Sequence, residues 1–173
     1  MGKADPSSRG QRTPPVPSRS AAFDVHGPLS GQSAAAEGIL RALPGWFGIE
    51  AALVDYARAA DAGPTFFAEA GGVSIGFATL RATSECAVEL HVIAVLPEWH
   101  RHGVGGALLE HTEAYALGKG FEILHVKTLA PCDPDPGYAA TRAFYLAWGF
   151  QPLEVLPQVW GPENPCLLLV KSL

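Results

Sequence analysis

A strand-like run ends at Pro97, and a helix then opens through the segment His100-Arg101-His102-Gly103-Val104-Gly105-Gly106. The first turn of a helix offers unpaired backbone N–H groups and the positive end of the helix dipole. Gly103, Gly105 and Gly106 have no side chains to hold a ligand away from that backbone. A pyrophosphate suits such a turn, and Arg101 and His102 would add charge-assisted contacts. Two common glycine patterns fail here. The dinucleotide pattern G-x-G-x-x-G would need its third glycine where Leu108 stands. The mononucleotide loop needs a lysine after its glycines, and none follows. On these residues alone, a plain tight turn in which glycine only eases the backbone stays equally open.

A second pair lies just upstream. Glu89 and His91 are two residues apart in an otherwise apolar strand, so they share one face. Charged groups there are costly without a partner or a purpose. They are candidates for moving a proton; a structural pair, or two residues on a solvated face, is the alternative. Other polar residues point to less. His100 and His102 have no Asp, Glu or Cys at matching spacing, so no metal is expected. Cys86, Cys132 and Cys166 form no C-x-x-C pair and imply neither a disulfide framework nor a reactive thiol. His111 and His125 read as partly buried residues with hydrogen-bond partners. Trp46, Phe47, Trp148 and Trp160 read as core, with a substrate platform the alternative, and Asp133 and Asp135 as solvated loop carboxylates, with attraction of a cationic amine the alternative.

These groups need elements to position them. Residues 1–21, rich in Pro, Ser and Gly, read as a disordered tail, with a single domain over 22–173. Ala21–Val25 reads as a first strand. Helical spacing follows over Ser33–Leu43 and Ile49–Ala60. Thr65–Ala70 and Val73–Leu80 flank Gly71-Gly72, a hairpin signal. Ala87–Leu96 is a longer strand, ended by Pro97. Val104–Gly118 is a helix, closed by glycines. Phe121–Leu129 is a strand, Pro131–Gly137 a loop, and Tyr138–Trp148 a helix capped by Gly149. Two strands near Leu153–Val159 and Cys166–Lys171 close the chain. This order predicts a mixed α+β fold: a mostly antiparallel twisted sheet of about six to seven strands flanked by about four helices.

The succession strand, Val-x-Pro, glycine turn, helix, strand, then Phe144-Tyr145-x-x-x-Gly149-Phe150, resembles the GNAT superfamily of acetyl-coenzyme A-dependent N-acyltransferases. The resemblance covers about Thr65 to Phe150. The family's turn usually reads Q/R-x-x-G-x-G/A, and histidine replaces the first residue here. The resemblance implies that Ile93, Ala94 and Val95 offer backbone groups to the pantetheine arm of the cosubstrate acetyl-CoA. It implies that Arg101, His102, Gly103, Val104, Gly105 and Gly106 hold the pyrophosphate. Tyr145 falls where the family places the tyrosine that protonates coenzyme A sulfur; a core tyrosine beside Phe144 is the alternative. Glu89 falls where some members keep a catalytic carboxylate. Many members carry an asparagine where this chain has Tyr138, so that cofactor contact is not expected.

The implied reaction moves an acetyl group to an amine. An aliphatic amine with a pKa of ~10.4 is neutral only about 0.04% of the time near neutral pH, so a base or a desolvated site would help. The developing oxyanion needs a donor, which strand N–H groups could supply. A phenol such as Tyr145 is protonated at neutral pH and able to donate. A non-catalytic acyl-coenzyme A module and a nucleotide-binding protein are the competing readings, the latter weakened by the missing lysine.

Composition bounds the partners. The formal charge is -5, with four of the 12 basic residues and one of the 17 acidic ones in the first twenty; the rest holds 8 basic against 16 acidic. An acidic body argues against nucleic acid, which requires a basic face. No run approaches the ~18 apolar residues of a membrane span. The N-terminus has no apolar leader, and Pro14, Pro15 and Pro17 interrupt the helix a transit peptide needs. A cytoplasmic enzyme acting on a small-molecule or peptide amine is expected. A homodimer is left open.

Overall fold

The structure, a computed structural model, describes residues 22–173. The tail expected over 1–21 lies outside them. Seven strands form one sheet in the order β1-β2-β3-β4-β5-β7-β6. They are β1 (Asp24–Leu29), β2 (Thr65–Ala70), β3 (Val73–Ala82), β4 (Ala87–Val95), β5 (Ile123–Leu129), β6 (Gln151–Leu156) and β7 (Cys166–Ser172). Four helices accompany them: α1 (Ser33–Arg41), α2 (Glu50–Ala62), α3 (Val104–Gly118) and α4 (Pro136–Ala147). Every strand pair is antiparallel except β4–β5, which the α3 crossover makes parallel. The expected fold class therefore holds.

Helices cover both faces of the sheet. Ile39 and Leu40 of α1 and Leu53 of α2 pack with Phe67, Phe77, Val92 and Ala94. On the other face Leu108 and Leu109 of α3 and Tyr145 of α4 pack with Phe66, Leu80, Val88 and Leu90. In β4, Val88 and Leu90 face α3, whereas Val92 and Ala94 face α1 and α2. Residues of equal parity should share a face. The register explains the switch: Thr79 pairs with Val92, but Leu80 pairs with Leu90. His91 is thus an extra residue, a β-bulge, and the strand turns over there.

The same point ends the pairing of β4 with β5. That ladder runs only from Ala87↔Ile123 to Leu90↔Val126. β5 continues against β7 to Leu129↔Cys166, while β4 continues against β3 to Val95↔Gly76. Beyond the bulge the two central strands diverge.

Several element ends differ from expectation. The first strand lies at Asp24–Leu29, where it finds Thr65–Glu69 as its partner, rather than at Ala21–Val25. α4 begins at Pro136 inside the expected loop, because Asp135 accepts from the N–H of Tyr138 (3.0 Å) and Pro136 fills the first helical position. The stretch after Leu156 leaves the sheet as a turn, so β6 is shorter at that end than the expected strand. At Gly149, φ is +85°, as the expected left-handed helix cap requires, and Phe150 is buried behind it.

Gly76 sits where β3, β4 and α3 converge. A Cβ there would lie 2.9 Å from the Ala94 carbonyl oxygen and 3.3 Å from Val104 Cγ1. Gly76→Ala is therefore expected to lower stability by about 1–3 kcal/mol through overpacking. The midpoint of urea denaturation reads this directly, and an unchanged midpoint would mean that the three elements can separate at no cost.

Candidate active site

The divergence of β4 from β5 opens a cavity of about 660 Å³. His91, Ile93, Ala94 and Val95 line one wall and Val126, Lys127 and Thr128 the opposite wall. The Leu96 amide donates to the Ile75 carbonyl (2.8 Å). In an antiparallel ladder bonded and non-bonded pairs alternate. Val92 and Ala94 therefore spend their backbone groups on β3, while those of Ile93 and Val95 point towards the gap. One is already engaged, because His100 Nε2 donates to the Val95 carbonyl (2.8 Å). Opposite, the Thr128 hydroxyl is buried without a hydrogen-bond partner among the described residues.

The glycine turn closes one end. Pro97–Trp99 forms a short 3-10 turn, and the chain then passes through Arg101 (φ +66°) and Gly103 (φ +86°) before α3 begins. Left-handed residues within a turn direct successive amides into a concavity that favours anions. No side chain caps α3, so its first N–H groups have no side-chain acceptor. Arg101, Gly103, Gly105 and Gly106 line the cavity. His102 does not: its Nδ1 contacts the His100 carbonyl at 2.9 Å, and its ring rests edge-on against Trp99. Val104 is buried in the core, so only its backbone faces the turn.

The three glycines serve different needs. Gly103 has open space around it and is required by its φ alone. A Cβ on Gly105 would meet the Phe144 ring at an ordinary 3.6 Å. A Cβ on Gly106 would lie 2.6 Å from Trp148. At that position helix packing, not only ligand approach, excludes a side chain.

α4 forms the far wall and is held near its start and at its middle. Arg142 donates to the Leu129 carbonyl (3.0 Å), and the Tyr138 hydroxyl donates to the Trp46 carbonyl (3.2 Å). Tyr145 is buried against Phe150 yet lines the cavity. Its hydroxyl has no hydrogen-bond partner among the described residues, and burial raises its pKa above the ordinary 10.0. It remains a neutral phenol at any physiological pH.

Glu89 lies elsewhere. It lines a smaller pocket, with Tyr56, Arg81, His91, Lys127 and Trp160, rather than the main cavity. Its side chain is 4% exposed. Arg81 donates to Oε2 through Nε (3.0 Å) and Nη2 (2.5 Å), and Lys127 Nζ donates to Oε1 (2.5 Å). His91 Nδ1 stands 3.4 Å from Oε2. Burial pushes the carboxyl pKa up, but the bonds from His91 and Lys127 and the charges of Lys127 and Arg81 win, holding it well below the usual 4.5. Such an acceptor-only carboxylate fixes the tautomer of His91: Nδ1–H donates to it, leaving Nε2 free to accept. His91 lines both pockets and packs against the Tyr56 ring, 5.2 Å between centroids.

The family model for the acetyltransferase (GNAT) domain matches residues 61–152, more than half of the 173-residue chain. The chain belongs to the GNAT acetyltransferases. Solved structures share the GNAT fold at low sequence identity. A GNAT-family acetyltransferase from Desulfovibrio desulfuricans superposes with a TM-score of 0.73 at 21% identity, covering 87% of this chain and 99% of that one. A GNAT acetyltransferase from Elizabethkingia anophelis, solved with acetyl-CoA bound, gives 0.70 at 17% identity over 87% and 98%. The ribosomal-protein-S18-alanine N-acetyltransferase of Escherichia coli gives 0.69 at 20% over 87% and 94%. No curated protein sequence matches significantly.

In this GNAT domain the structure changes the reading of some residues and adds others. Trp46, Phe47, Trp148 and Trp160, read as core, all line the cavity. So does Tyr56, which falls within the helix expected over Ile49–Ala60. Lys127 and Arg81 were missed as the partners of Glu89. The pattern His125-x-Lys127 was the available signal, since a parallel β4–β5 pair brings that face of β5 beside Glu89. Asp135 caps α4 instead of standing free in solvent. Among the described residues, no group of three or more His, Cys, Asp or Glu side chains is placed to hold a metal. No helix among them is long and apolar enough to cross a membrane.

Glu89→Gln is expected to cost about 3 kcal/mol near neutral pH, because Lys127 loses its charge partner in a largely buried site. The folded carboxyl pKa is depressed, so its stabilisation is complete above the unfolded value and is lost only as pH falls through the folded one. The gap between wild type and variant in urea denaturation should therefore hold above the ordinary carboxylate pKa, begin to shrink below it and close progressively into strong acid. A constant gap from neutral to strongly acid pH would remove the carboxylate charge as its source.

Proposed function

We propose that this protein is an N-acetyltransferase, moving an acetyl group from acetyl-CoA to a primary amine of a small molecule or peptide by direct attack. The observation that supports this best is the shared cavity. The gap-facing backbone of Ile93, the glycine turn and the unpartnered Tyr145 hydroxyl all border it. The residues fit the cosubstrate chemically. The turn from Arg101 to Gly106 offers an anion-seeking backbone and a guanidinium with no ion-pair partner among the described residues. The Ile93 backbone and the Thr128 hydroxyl await polar partners across the gap. Acetyl-CoA supplies the activated thioester when bound.

Transfer forms an N–C bond, breaks a C–S bond, removes one proton from the amine and delivers one to sulfur. Tyr145 delivers that proton. Its raised pKa keeps it protonated, and the apolar wall around it excludes competing water. His91 receives the proton lost by the amine at Nε2, directly or through water. Glu89, ionised and held by Arg81 and Lys127, orients His91 and is itself a weak base. The amide of Ile93 offers a donor where negative charge develops.

Tyr145→Phe is expected to lower turnover by about 10²-fold while leaving acetyl-CoA affinity unchanged. The hydroxyl has no protein hydrogen bond to lose, so folding should be unaffected. Thiol release across an amine panel measures the first quantity and calorimetry the second. Wild-type turnover in the variant would take Tyr145 out of the acid role. Absence of thiol release by wild-type protein that binds acetyl-CoA would favour a binding module instead.

Gly105→Val should fold, since its Cβ meets only the edge of the Phe144 ring. It should weaken coenzyme A binding by about tenfold or more, as bulk enters the turn lining the cavity. Unaltered affinity for coenzyme A would place the pyrophosphate elsewhere.

A further inference from the structure

The small pocket continues from the main cavity through Tyr56, His91, Lys127 and Trp160, which line both. It is where an amine presented to His91 would carry the rest of its structure. Its charges do not balance. Arg81 and Lys127 face one carboxylate, that of Glu89, and no other acid lines the pocket. Glu110, an acidic residue of the main cavity, is absent from it.

The donors do not balance either. Arg81 spends Nε and Nη2 on Glu89, while its Nη1 has no partner among the described residues and the side chain stays 54% exposed. Lys127 uses one N–H on Glu89 and is 24% exposed. A guanidinium edge and an ammonium with free protons, set side by side, match the two oxygens of a carboxylate. A second ammonium on the acceptor would instead meet an excess of positive charge. The Tyr56 and Trp160 rings flank this polar end with apolar surface.

We infer that the amine acceptor also carries a carboxylate, which Arg81 and Lys127 hold in the small pocket while its amine faces His91. This rests on the acetyltransferase reading for the role of the amine. The net charge of -5 gives no sign of this, because the surplus at this pocket is positive.

The test uses full-length protein loaded with coenzyme A and matched probe pairs that differ only in a carboxylate. These are phenylalanine with phenethylamine, tryptophan with tryptamine, and leucine with isoamylamine, with spermidine as a cationic control. Calorimetry should show the carboxylate member of at least one pair binding about tenfold tighter. Arg81→Gln, at the exposed end of the cluster, should bring that ratio towards one. Lys127→Gln gives the same reading should the first variant fail to fold. Equal binding within every pair, no binding by any carboxylate member, tighter binding of spermidine, or a ratio unmoved in both variants would overturn the inference. Parallel thiol-release assays with acetyl-CoA separate the two readings. Carboxylate-selective binding without thiol release would refute transferase activity and leave the carboxylate site standing.

Discussion

A strand in the middle of a sheet normally has neighbours for all its amides and carbonyls, and β4 gives up one of those neighbours at His91. The bulge bends the strand and turns its side chains over, and the parallel ladder to β5 ends there. An unpaired buried backbone group costs about 1–3 kcal/mol, so such a gap persists only where something else can satisfy it. His100 takes one carbonyl and leaves the remainder facing the cavity. The same divergence gives α4 a wall to form, brings Tyr145 to the cavity, and lets the glycine turn stand at its end. The donor side of the site is in this sense a controlled failure of strand pairing.

The acceptor side depends on a different device. Glu89 is buried, and burial alone would make it a raised-pKa acid. Lys127, Arg81 and His91 reverse that outcome. The carboxylate then holds three elements in place: β3 through Arg81, β5 through Lys127, and the bulge through His91. Buried ion pairs often add little net stability but penalise every arrangement in which one partner is lost. Here that penalty acts across the strands on both sides of β4, close to where the sheet divides.

Most of the fold was legible because its elements follow simple periods. β2 and α3 fell where alternation, helical spacing and glycine punctuation put them, and Gly149 took the expected left-handed conformation. The start of α4 was misplaced because three prolines suggested a loop, although Asp135-Pro136 is also a good helix start. The pairing of Glu89 with His91 followed from two-residue spacing. What spacing could not reveal is that the next residues cross to the opposite face, since a bulge leaves no mark on composition. Nor could it reveal that tryptophans from distant segments meet in one cavity, which depends on how helices pack rather than on local pattern. The partners of Glu89 come from β3 and β5 and required the strand order.

The one-residue excess at His91 also limits how this sheet can change over evolutionary time. A substitution there alters a single side chain. A deletion would restore regular alternation while leaving Val92 and Ala94 on the face of α1 and α2 and Ile93 and Val95 on that of α3. Both hydrophobic layers would survive the loss of one codon, but the bend would go with it, and the seam beside β5 could zip shut. The site is therefore open to drift in chemistry and closed to drift in length, and chain length through β4 should be inherited more strictly than the identity of the residue at its bend.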